Sequence, residues 1–326
     1  MKAEILALLR EQGSYVSGQE LCERFGVSRT AVWKAINQLK KEGYQISAVQ
    51  NKGYLLEQEE EIFGQNELES RMDTAWAGHP VSFYAQINST NLQAKLDAEA
   101  GAGEGALVVA DMQTAGRGRR GRTWNSPAGT NVYFTLLLKP AYPVDKVSAV
   151  TLVMALAVAE GIRETCGLDT GIKWPNDIVV NGKKVCGILT EMSMERDFVH
   201  HVVIGVGINV GLQEFAPEVA ATATSLCAEC GKSVPRATLV ANIMKAFEKY
   251  YASFCETLDM EGLMEEYNRV LVNNGREVRV LDPKGEFTGI SRGIDKAGEL
   301  LVELPNHEVT AVYAGEVSVR GIYGYV

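Results

Sequence analysis

Apolar residues recur every three or four positions along residues 1–43, a period that is typical of amphipathic helices. Ser17 is placed to cap a helix that ends at Gly26. Ser28 is placed to cap the next helix, which we predict over residues 29–42 with one buried apolar face. Two short helices joined by a tight link predict a helix-turn-helix.

The period shortens to two in the next segment, where β-prone runs at residues 44–49 and 54–56 flank a turn that contains Gly53. A hairpin that follows a helix-turn-helix is typical of a wing. We therefore predict a winged helix-turn-helix domain over residues 1–60. The acidic run at residues 57–61 predicts a linker at the boundary of this domain.

The rest of the chain changes pattern twice. Residues 65–270 alternate strand-like apolar runs with helical periods, which predicts a central mixed α/β domain. Residues 272–326 show only short strands separated by turns, which predicts a small β-barrel or sandwich. The predicted central strands are residues 81–87, 106–111, 131–139, 171–173, 178–180, 185–191 and 199–210, and the predicted helices are residues 91–100, 146–166 and 235–256. The predicted C-terminal strands are residues 277–281, 286–295, 300–304 and 309–319.

Composition and charge narrow the classes of function. Hydrophobic residues make up 46% of the 326 residues, which is enough for substantial cores. Apolar runs stay shorter than the roughly 18 residues that span a membrane, and the N-terminus lacks the pattern of a secretory signal. We therefore expect a cytoplasmic protein with no membrane partner. Residues 1–56 hold eight Lys and Arg and five Glu, for +3, so the total of −9 leaves −12 on the remainder.

Residues 1–56, which we call the head, are basic, whereas the rest of the chain is acidic. This charge distribution predicts that only the head binds a polyanion. The helix-turn-helix, from about residue 18 to residue 37, supplies the candidate contacts with operator DNA. A small helical docking domain could share these helices, but the charge balance and the wing favour DNA. The candidate DNA-binding residues are Ser28, Arg29, Thr30, Lys34, Asn37 and, in the wing, Lys52.

The cysteines and histidines do not predict a metal centre. Cys227 and Cys230 form a CxxC pair with no second pair elsewhere, and His200 and His201 are adjacent rather than spaced as ligands. A structural zinc needs four ligands. We expect ordinary thiols and no structural zinc.

The segment QTAGRGRRGRTW at residues 113–124 contains a GxGxxG pattern at Gly116, Gly118 and Gly121. A dinucleotide-binding fold needs a helix directly after this pattern and an acidic residue about 20 positions further on, and the sequence offers neither. The remaining interpretation is a mobile glycine loop whose four arginines bind phosphate or carboxylate. A basic patch for nucleic acid is the alternative, but a small anionic ligand fits an acidic domain better.

The run KWPND at residues 173–177 is the second informative segment. Asn176 and Asp177 lie between predicted strands, which suits an amide that positions an oxygen and a carboxylate that holds Mg²⁺. A plain turn is the alternative, because Pro-Asn-Asp favours turns in any case. Lys183 and Lys184 follow on a hairpin, and strand alternation sends only one of them into a pocket. On this pattern alone, both lysines are candidates.

These motifs together resemble those of biotin–protein ligases. The set comprises GRGRRGRTW, KWPND with a following KK-V-x-GIL, Ser89-Thr90-Asn91, VVIGVGINV and the terminal GEVSVR. With the winged helix included, the resemblance covers nearly the whole chain and is to the bifunctional ligase/repressor type. It implies an α+β multidomain fold in which a class II synthetase-like ligase domain precedes an SH3-like β-barrel.

The resemblance also implies a reaction in two steps. The biotin carboxylate attacks the α-phosphorus of ATP to give biotinyl-5′-AMP and pyrophosphate, with Mg²⁺ as cofactor. A lysine of a biotin carboxyl carrier domain, part of a biotin-dependent carboxylase, then attacks the mixed anhydride. The adenylate-bound protein is expected to form a homodimer that binds operator DNA.

The residue roles that the resemblance implies fall into three groups. The catalytic residues are Lys184 and Arg119. The biotin-binding residues are Ser89, Thr90, Asn91, Gln113, Arg117, Gly118, Arg119 and Lys184. The residues for ATP and the adenylate are Arg119, Trp124, Asn176, Asp177 and Asn209, with Mg²⁺ near Asp177.

Two other functions fit parts of the pattern. A lipoate–protein ligase shares the central architecture and the adenylate chemistry, although GRGRRG with KWPND favours biotin. A transcription regulator with a non-catalytic sensor domain would keep the helix-turn-helix and bind the ligand without transferring it.

Overall fold

The computed structural model describes residues 1–57, 62–195, 198–212, 214–282, 285–314 and 318–321. The chain divides into two compact units. Unit 1 comprises Met1–Asp73 with Pro235–Ala241, and unit 2 comprises Thr74–Val234 with Asn242–Val326. No helix among the described residues is long and apolar enough to cross a membrane.

Unit 1 is built on the predicted winged helix-turn-helix. The Ser17 hydroxyl accepts a hydrogen bond from the Glu20 amide at 3.0 Å, and the Ser28 hydroxyl accepts one from the Ala31 amide at 3.2 Å. Both predicted helix starts are therefore confirmed. The elements are α1 (Lys2–Gln12), α2 (Gly18–Phe25), α3 (Arg29–Lys41), the antiparallel wing strands β1 (Ile46–Val49) and β2 (Gly53–Leu56), and α4 (Gln65–Arg71).

Helix α4 lies beyond the predicted limit at residue 60 and packs against α1. Its Glu67 is 1% exposed, and its carboxylate accepts hydrogen bonds from Arg10 at 2.9 Å and from Arg71 at 2.6 Å. A buried carboxylate needs such partners. The α1–α4 contact therefore extends unit 1 to Asp73.

Unit 2 contains a seven-stranded mixed sheet in the order β3-β4-β5-β9-β8-β7-β6. The β3–β4 pair is parallel and the other pairs are antiparallel. The strands are β3 (Val81–Tyr84), β4 (Leu107–Ala110), β5 (Val132–Leu138), β6 (Gly171–Lys173), β7 (Asp177–Val180), β8 (Lys183–Glu195) and β9 (Phe198–Ile208). The helices are α5 (Thr90–Glu99), α6 (Val147–Cys166), α7 (Leu226–Cys230), α8 (Arg236–Thr257), which spans both units, and α9 (Met264–Val270).

Helices cover both faces of this sheet. Asn91 of α5 hydrogen-bonds to Glu191 of β8, whereas Thr151 of α6 hydrogen-bonds to the adjacent Thr190. Neighbouring residues of a strand point to opposite faces, so α5 and α6 lie on opposite sides. Every residue of the central strand β5 is accordingly buried.

The C-terminal region is an antiparallel five-stranded sheet in the order β13-β12-β11-β10-β14. Its strands are β10 (Glu277–Leu281), β11 (Phe287–Ile294), β12 (Leu300–Glu303), β13 (Val309–Val312) and β14 (Ser318–Gly321). The prediction of one strand over residues 309–319 is wrong, because the chain leaves β13 at Tyr313 and pairs with a different neighbour as β14. The GEVSVR motif lies partly outside the described residues.

Candidate functional site

An irregularity in β8 brings the predicted lysine into a cluster of polar and aromatic side chains. Opposite β7, the register shifts so that Lys184 faces Val179 while Cys186 faces Ile178. A bulge of this kind interrupts strand alternation. A Cβ at Gly187 would lie 3.1 Å from Lys184 Nζ and 3.1 Å from the Trp124 ring, so Lys184 and Gly187 share one face. Lys183 is exposed.

Lys184 has both an anionic and an aromatic partner. Its ammonium pairs with the Asp177 carboxylate and lies 5.3 Å from the centroid of the Trp124 ring. The side chains of Lys184 and Asp177 are 23% and 15% exposed. A cation in this setting is partly desolvated, which strengthens its interaction with any anion that enters.

Two glycines on adjacent strands make room for the Trp124 indole. Gly187 of β8 pairs with Gly207 of β9, and a Cβ at Gly207 would lie 2.5 Å from Trp124 Nε1. The indole N–H is buried and has no hydrogen-bond partner among the described residues. Trp124 therefore lies directly on the sheet, beside Lys184.

Two side chains of the KWPND run have distinct structural roles. Trp174 is 1% exposed, and its indole N–H donates to the Gly298 carbonyl at 3.1 Å. The Asn176 amide donates to the Ile188 carbonyl at 3.0 Å, and its oxygen accepts from Arg119 Nη1 at 2.9 Å. The segment is thus anchored by Trp174 in the core and presents Asn176 next to Asp177.

Backbone hydrogen bonds within the glycine loop join its two ends. The Gly118 amide donates to the Arg122 carbonyl at 2.7 Å, and the Trp124 amide donates to the Gly116 carbonyl at 2.9 Å. The Arg119 side chain extends from the loop, donates a hydrogen bond to the Asn176 side chain and donates another to the Ala314 carbonyl at 2.8 Å. Burial lowers the pKa of Arg119, and the nearby Asp177 carboxylate opposes this shift.

The predicted biotin-binding residues meet at the start of α5. The Thr90 amide and hydroxyl donate to Gln113 Oε1 at 2.9 and 3.1 Å, and Gln113 Nε2 donates to the Ser126 hydroxyl at 3.0 Å. Ser89 is 5% exposed and is the N-cap of α5, with no side-chain capping hydrogen bond. The Gln113 side chain thereby links the glycine-loop segment to α5.

Asn91 joins the start of α5 to strands β5 and β8 of the sheet through hydrogen bonds. Its amide nitrogen donates to Glu191 at 2.7 Å and to the Leu189 carbonyl at 3.2 Å, and its oxygen accepts from Thr135 at 2.7 Å. Lys95 completes the network with an ion pair to Glu191 at 2.7 Å. Burial acts to raise the pKa of Glu191, but the hydrogen bonds from Lys95 and Asn91 outweigh it and lower the pKa.

Asn209 is held at the end of β9 near the Lys184 strand. It is 6% exposed, and its amide nitrogen donates to the Thr224 carbonyl at 3.2 Å. Backbone hydrogen bonds join Lys184 to Thr222 and Thr224. The segment that contains Thr222 and Thr224 therefore contacts both Asn209 and Lys184.

The network includes residues that the sequence did not single out: Lys95, Ser126, Thr135 and Glu191. They are common residue types in ordinary contexts, so no motif marks them. Only the pairing of β5, β8 and α5 brings them together. A cavity of about 200 Å³ is lined mainly from the α6 side of the sheet, by Val147, Thr151 and Thr190 among others, and Arg119 and Asn176 of the site also line it.

In unit 1, the predicted DNA-binding residues lie at the N-cap of α3, on α3 itself and on the wing turn. Ser28, Arg29, Thr30 and Lys34 are exposed, and Asn37 is half-buried. The Arg29 guanidinium donates to the Gln19 side chain at 3.0 Å. The Lys52 ammonium lies 5.8 Å from the centroid of the Tyr15 ring.

Three family models match the chain: an HTH domain at residues 2–55, the Biotin/lipoate A/B protein ligase family at residues 83–209, and the Biotin protein ligase C-terminal domain at residues 275–320. A Bacillus subtilis protein described as a bifunctional ligase/repressor is 39% identical over 97% of this chain and 98% of its own length. The corresponding Escherichia coli protein is 32% identical over 97% of this chain and 96% of its own length.

A solved structure gives the same assignment. The biotin protein ligase from Aquifex aeolicus, in complex with biotin and ATP, has a TM-score of 0.66 and is 29% identical, over 74% of this chain and 99% of its own. The bifunctional relatives match the chain along almost its whole length. The chain therefore belongs to the biotin–protein ligase family, in its bifunctional ligase/repressor branch, and it carries an HTH domain together with a ligase domain.

Proposed function

We propose that this chain joins biotin to ATP as biotinyl-5′-AMP, releases pyrophosphate, and transfers the biotinyl group to a lysine of a biotin carboxyl carrier domain. We propose further that the adenylate-bound protein represses transcription. The observation that carries the ligase proposal is the bulge in β8, which sets Lys184 against Asp177 and Trp124. ATP as substrate and operator DNA as partner both favour a cytoplasmic location.

In the first step, an oxygen of the biotin carboxylate bonds to the α-phosphorus as the bond to pyrophosphate breaks. The Lys184 ammonium would stabilise the negative charge shared by the carboxylate and the α-phosphoryl group. Arg119, which hydrogen-bonds to Asn176, would hold the adenylate from the loop side. No covalent enzyme intermediate is needed, so positioning and electrostatics supply the rate.

Mg²⁺ fits the residues present. Mg²⁺ usually takes one or two protein carboxylates and completes its shell with phosphates and water. The partly buried carboxylate of Asp177 would hold the ion, with Asn176 beside it. The described residues contain no group of three His, Cys, Asp or Glu side chains that could hold a metal by themselves. When bound, the ion would neutralise phosphate charge.

The corner at Thr90 is suited to the ureido ring of biotin. Gln113 and the Thr90 hydroxyl offer a donor and acceptor pair that is already oriented by hydrogen bonds. Arg117 and Gly118 would close the loop over the ligand. In the second step, the neutral lysine amine of the carrier attacks the biotinyl carbonyl carbon, and AMP leaves.

The matched family description names lipoate as well as biotin, so the alternative ligase needs its own test. Thermal shift with biotin and with lipoate compares the two acids directly. Radiolabelled biotin transfer to an apo carrier domain, with ATP present, then tests the activity itself. Binding of biotin with no transfer would leave a sensor that only regulates transcription.

We propose that repression requires a homodimer. Specific binding by a helix-turn-helix usually uses two half-sites, and the charge of +3 on residues 1–56 allows few phosphate contacts for one copy. Ordering of the Gly116–Gly121 loop by the adenylate would lower the entropic cost of an interface that the loop borders. Carrier docking would compete for that face, so apo carrier would weaken repression.

A further inference from the structure

Helix α3 exposes a tryptophan that the ligase chemistry does not use. Trp33 is 58% exposed, although the apolar neighbours Val32, Ala35 and Ile36 are about 1% exposed. Single exposed apolar side chains are common and by themselves imply nothing. The position of Trp33 within the helix is what distinguishes it.

Trp33 lies in the first half of α3, among the polar side chains of its outer face. Arg29 and Thr30 precede it by four and three residues and Asn37 follows it by four, so all three are its neighbours on the helix surface. In helix-turn-helix proteins the N-terminal part of the second helix contacts base edges in the major groove. The charge of +3 on residues 1–56 suits a polyanionic partner.

The major groove presents one apolar group, the C5 methyl of thymine. An exposed indole among hydrogen-bonding side chains can cover such methyls, while its neighbours contact polar base edges and phosphates. We propose that Trp33 determines operator specificity by packing against thymine methyl groups in each half-site. This inference rests on the proposed repressor function and adds to it the base that one residue recognises.

The full chain, loaded with biotin and ATP, is first used to select binding sites from a random duplex library. Each thymine of the enriched site is then replaced by uracil, which removes only the methyl. Loss of one buried methyl should weaken binding about fourfold, and loss in both half-sites should weaken it about fifteenfold. Trp33→Ala loses the same methyl contacts in both half-sites, so it should bind the thymine duplex at least about fifteenfold more weakly and should no longer distinguish thymine from uracil.

Two controls keep the result specific. Gln38→Ala changes another exposed residue of α3 and should bind both duplexes like the unchanged chain. Trp33→Ala should retain the thermal unfolding midpoint, because the indole is outside the core. A Trp33→Ala variant that binds as tightly as the unchanged chain, or that still prefers thymine, overturns the inference. If the selection enriches no sequence, the repressor function itself fails before any variant is made.

Discussion

Replacing Lys184 removes the positive charge to which we assign stabilisation of the reacting carboxylate and α-phosphoryl group. Lys184 and Lys183 are adjacent in β8, but only Lys184 pairs with Asp177 and lies over Trp124. Lys184→Met keeps an unbranched apolar stem against the Trp124 ring and removes the ammonium. Lys183→Ala is the matched control, because Lys183 is exposed.

The size of the effect follows from the setting of the ammonium. Removal of one preorganised electrostatic partner costs about a hundredfold to a thousandfold in rate, or about 2.7–4 kcal/mol. Lys184 is 23% exposed, so water can partly replace the lost ammonium, and the effect should lie near the lower value. We therefore expect Lys184→Met to slow adenylate formation by about a hundredfold or more. Lys183→Ala should change the rate by less than about twofold.

Single-turnover release of pyrophosphate at saturating biotin and ATP measures this step. The unfolding midpoint of each variant shows whether the fold is retained. Equal effects of the two variants, or a larger effect at Lys183, would refute the assigned strand facing and the role of the ammonium.

Four further outcomes are expected. Arg119→Gly should still form biotinyl-5′-AMP but release it, so that lysines of bystander proteins are labelled alongside the carrier. Asn91→Ala should raise the KM for biotin by roughly tenfold, because three hydrogen bonds at the α5 corner are lost. Deletion of residues 1–73 should abolish DNA binding while biotin transfer persists. Burial lowers the pKa of His201, and the neighbouring His200 lowers it further. As the pH falls, His201 is therefore protonated in the unfolded chain at a higher pH than in the folded chain. The stability contributed by neutral His201 is therefore complete above about pH 6.5 and declines as the pH falls towards the pKa of His201 in the folded chain. Unfolding midpoints of the unchanged chain and of His201→Gln, each measured at about pH 7.5 and at about pH 5.5, test this: the unchanged chain should lose more stability at the lower pH than the variant does.

Each of these expectations has a contrary result. Labelling of the carrier alone by Arg119→Gly would show that the arginine does not retain the intermediate. An unchanged KM in Asn91→Ala would separate this network from biotin. Loss of turnover with retained fold after the deletion would give the head a catalytic role. Equal pH sensitivity of the His201 variant would assign the titration to another group.

The elements that the sequence predicts well are those that depend on local chemistry. Ser17 and Ser28 cap their helices as expected, because a hydroxyl followed by free backbone amides acts within one turn. The apolar run of β5, interrupted only by Thr135, likewise predicts a strand. Local patterns of this kind are independent of the tertiary partner.

Other features depend on partners that are distant in the chain. Glu67 makes α4 part of unit 1 only because Arg10 lies opposite it, 57 residues away. The bulge in β8 is set by its pairing with β7, so alternation alone could not show that Lys184 and Gly187 share a face. Tyr313 continues an apolar run and hides the end of β13. The brace between Asn91 and Glu191 joins residues 100 positions apart.

The central claim is that one adenylate-loaded state connects biotin transfer with repression. Sedimentation and operator binding, measured on the full chain with and without biotin and ATP, test it most directly. We predict a monomer with weak DNA binding when the protein is empty, a dimer with tight binding when the adenylate is formed, and reversal by apo carrier domain. Identical association and DNA binding in the empty and adenylate-bound states would contradict the claim.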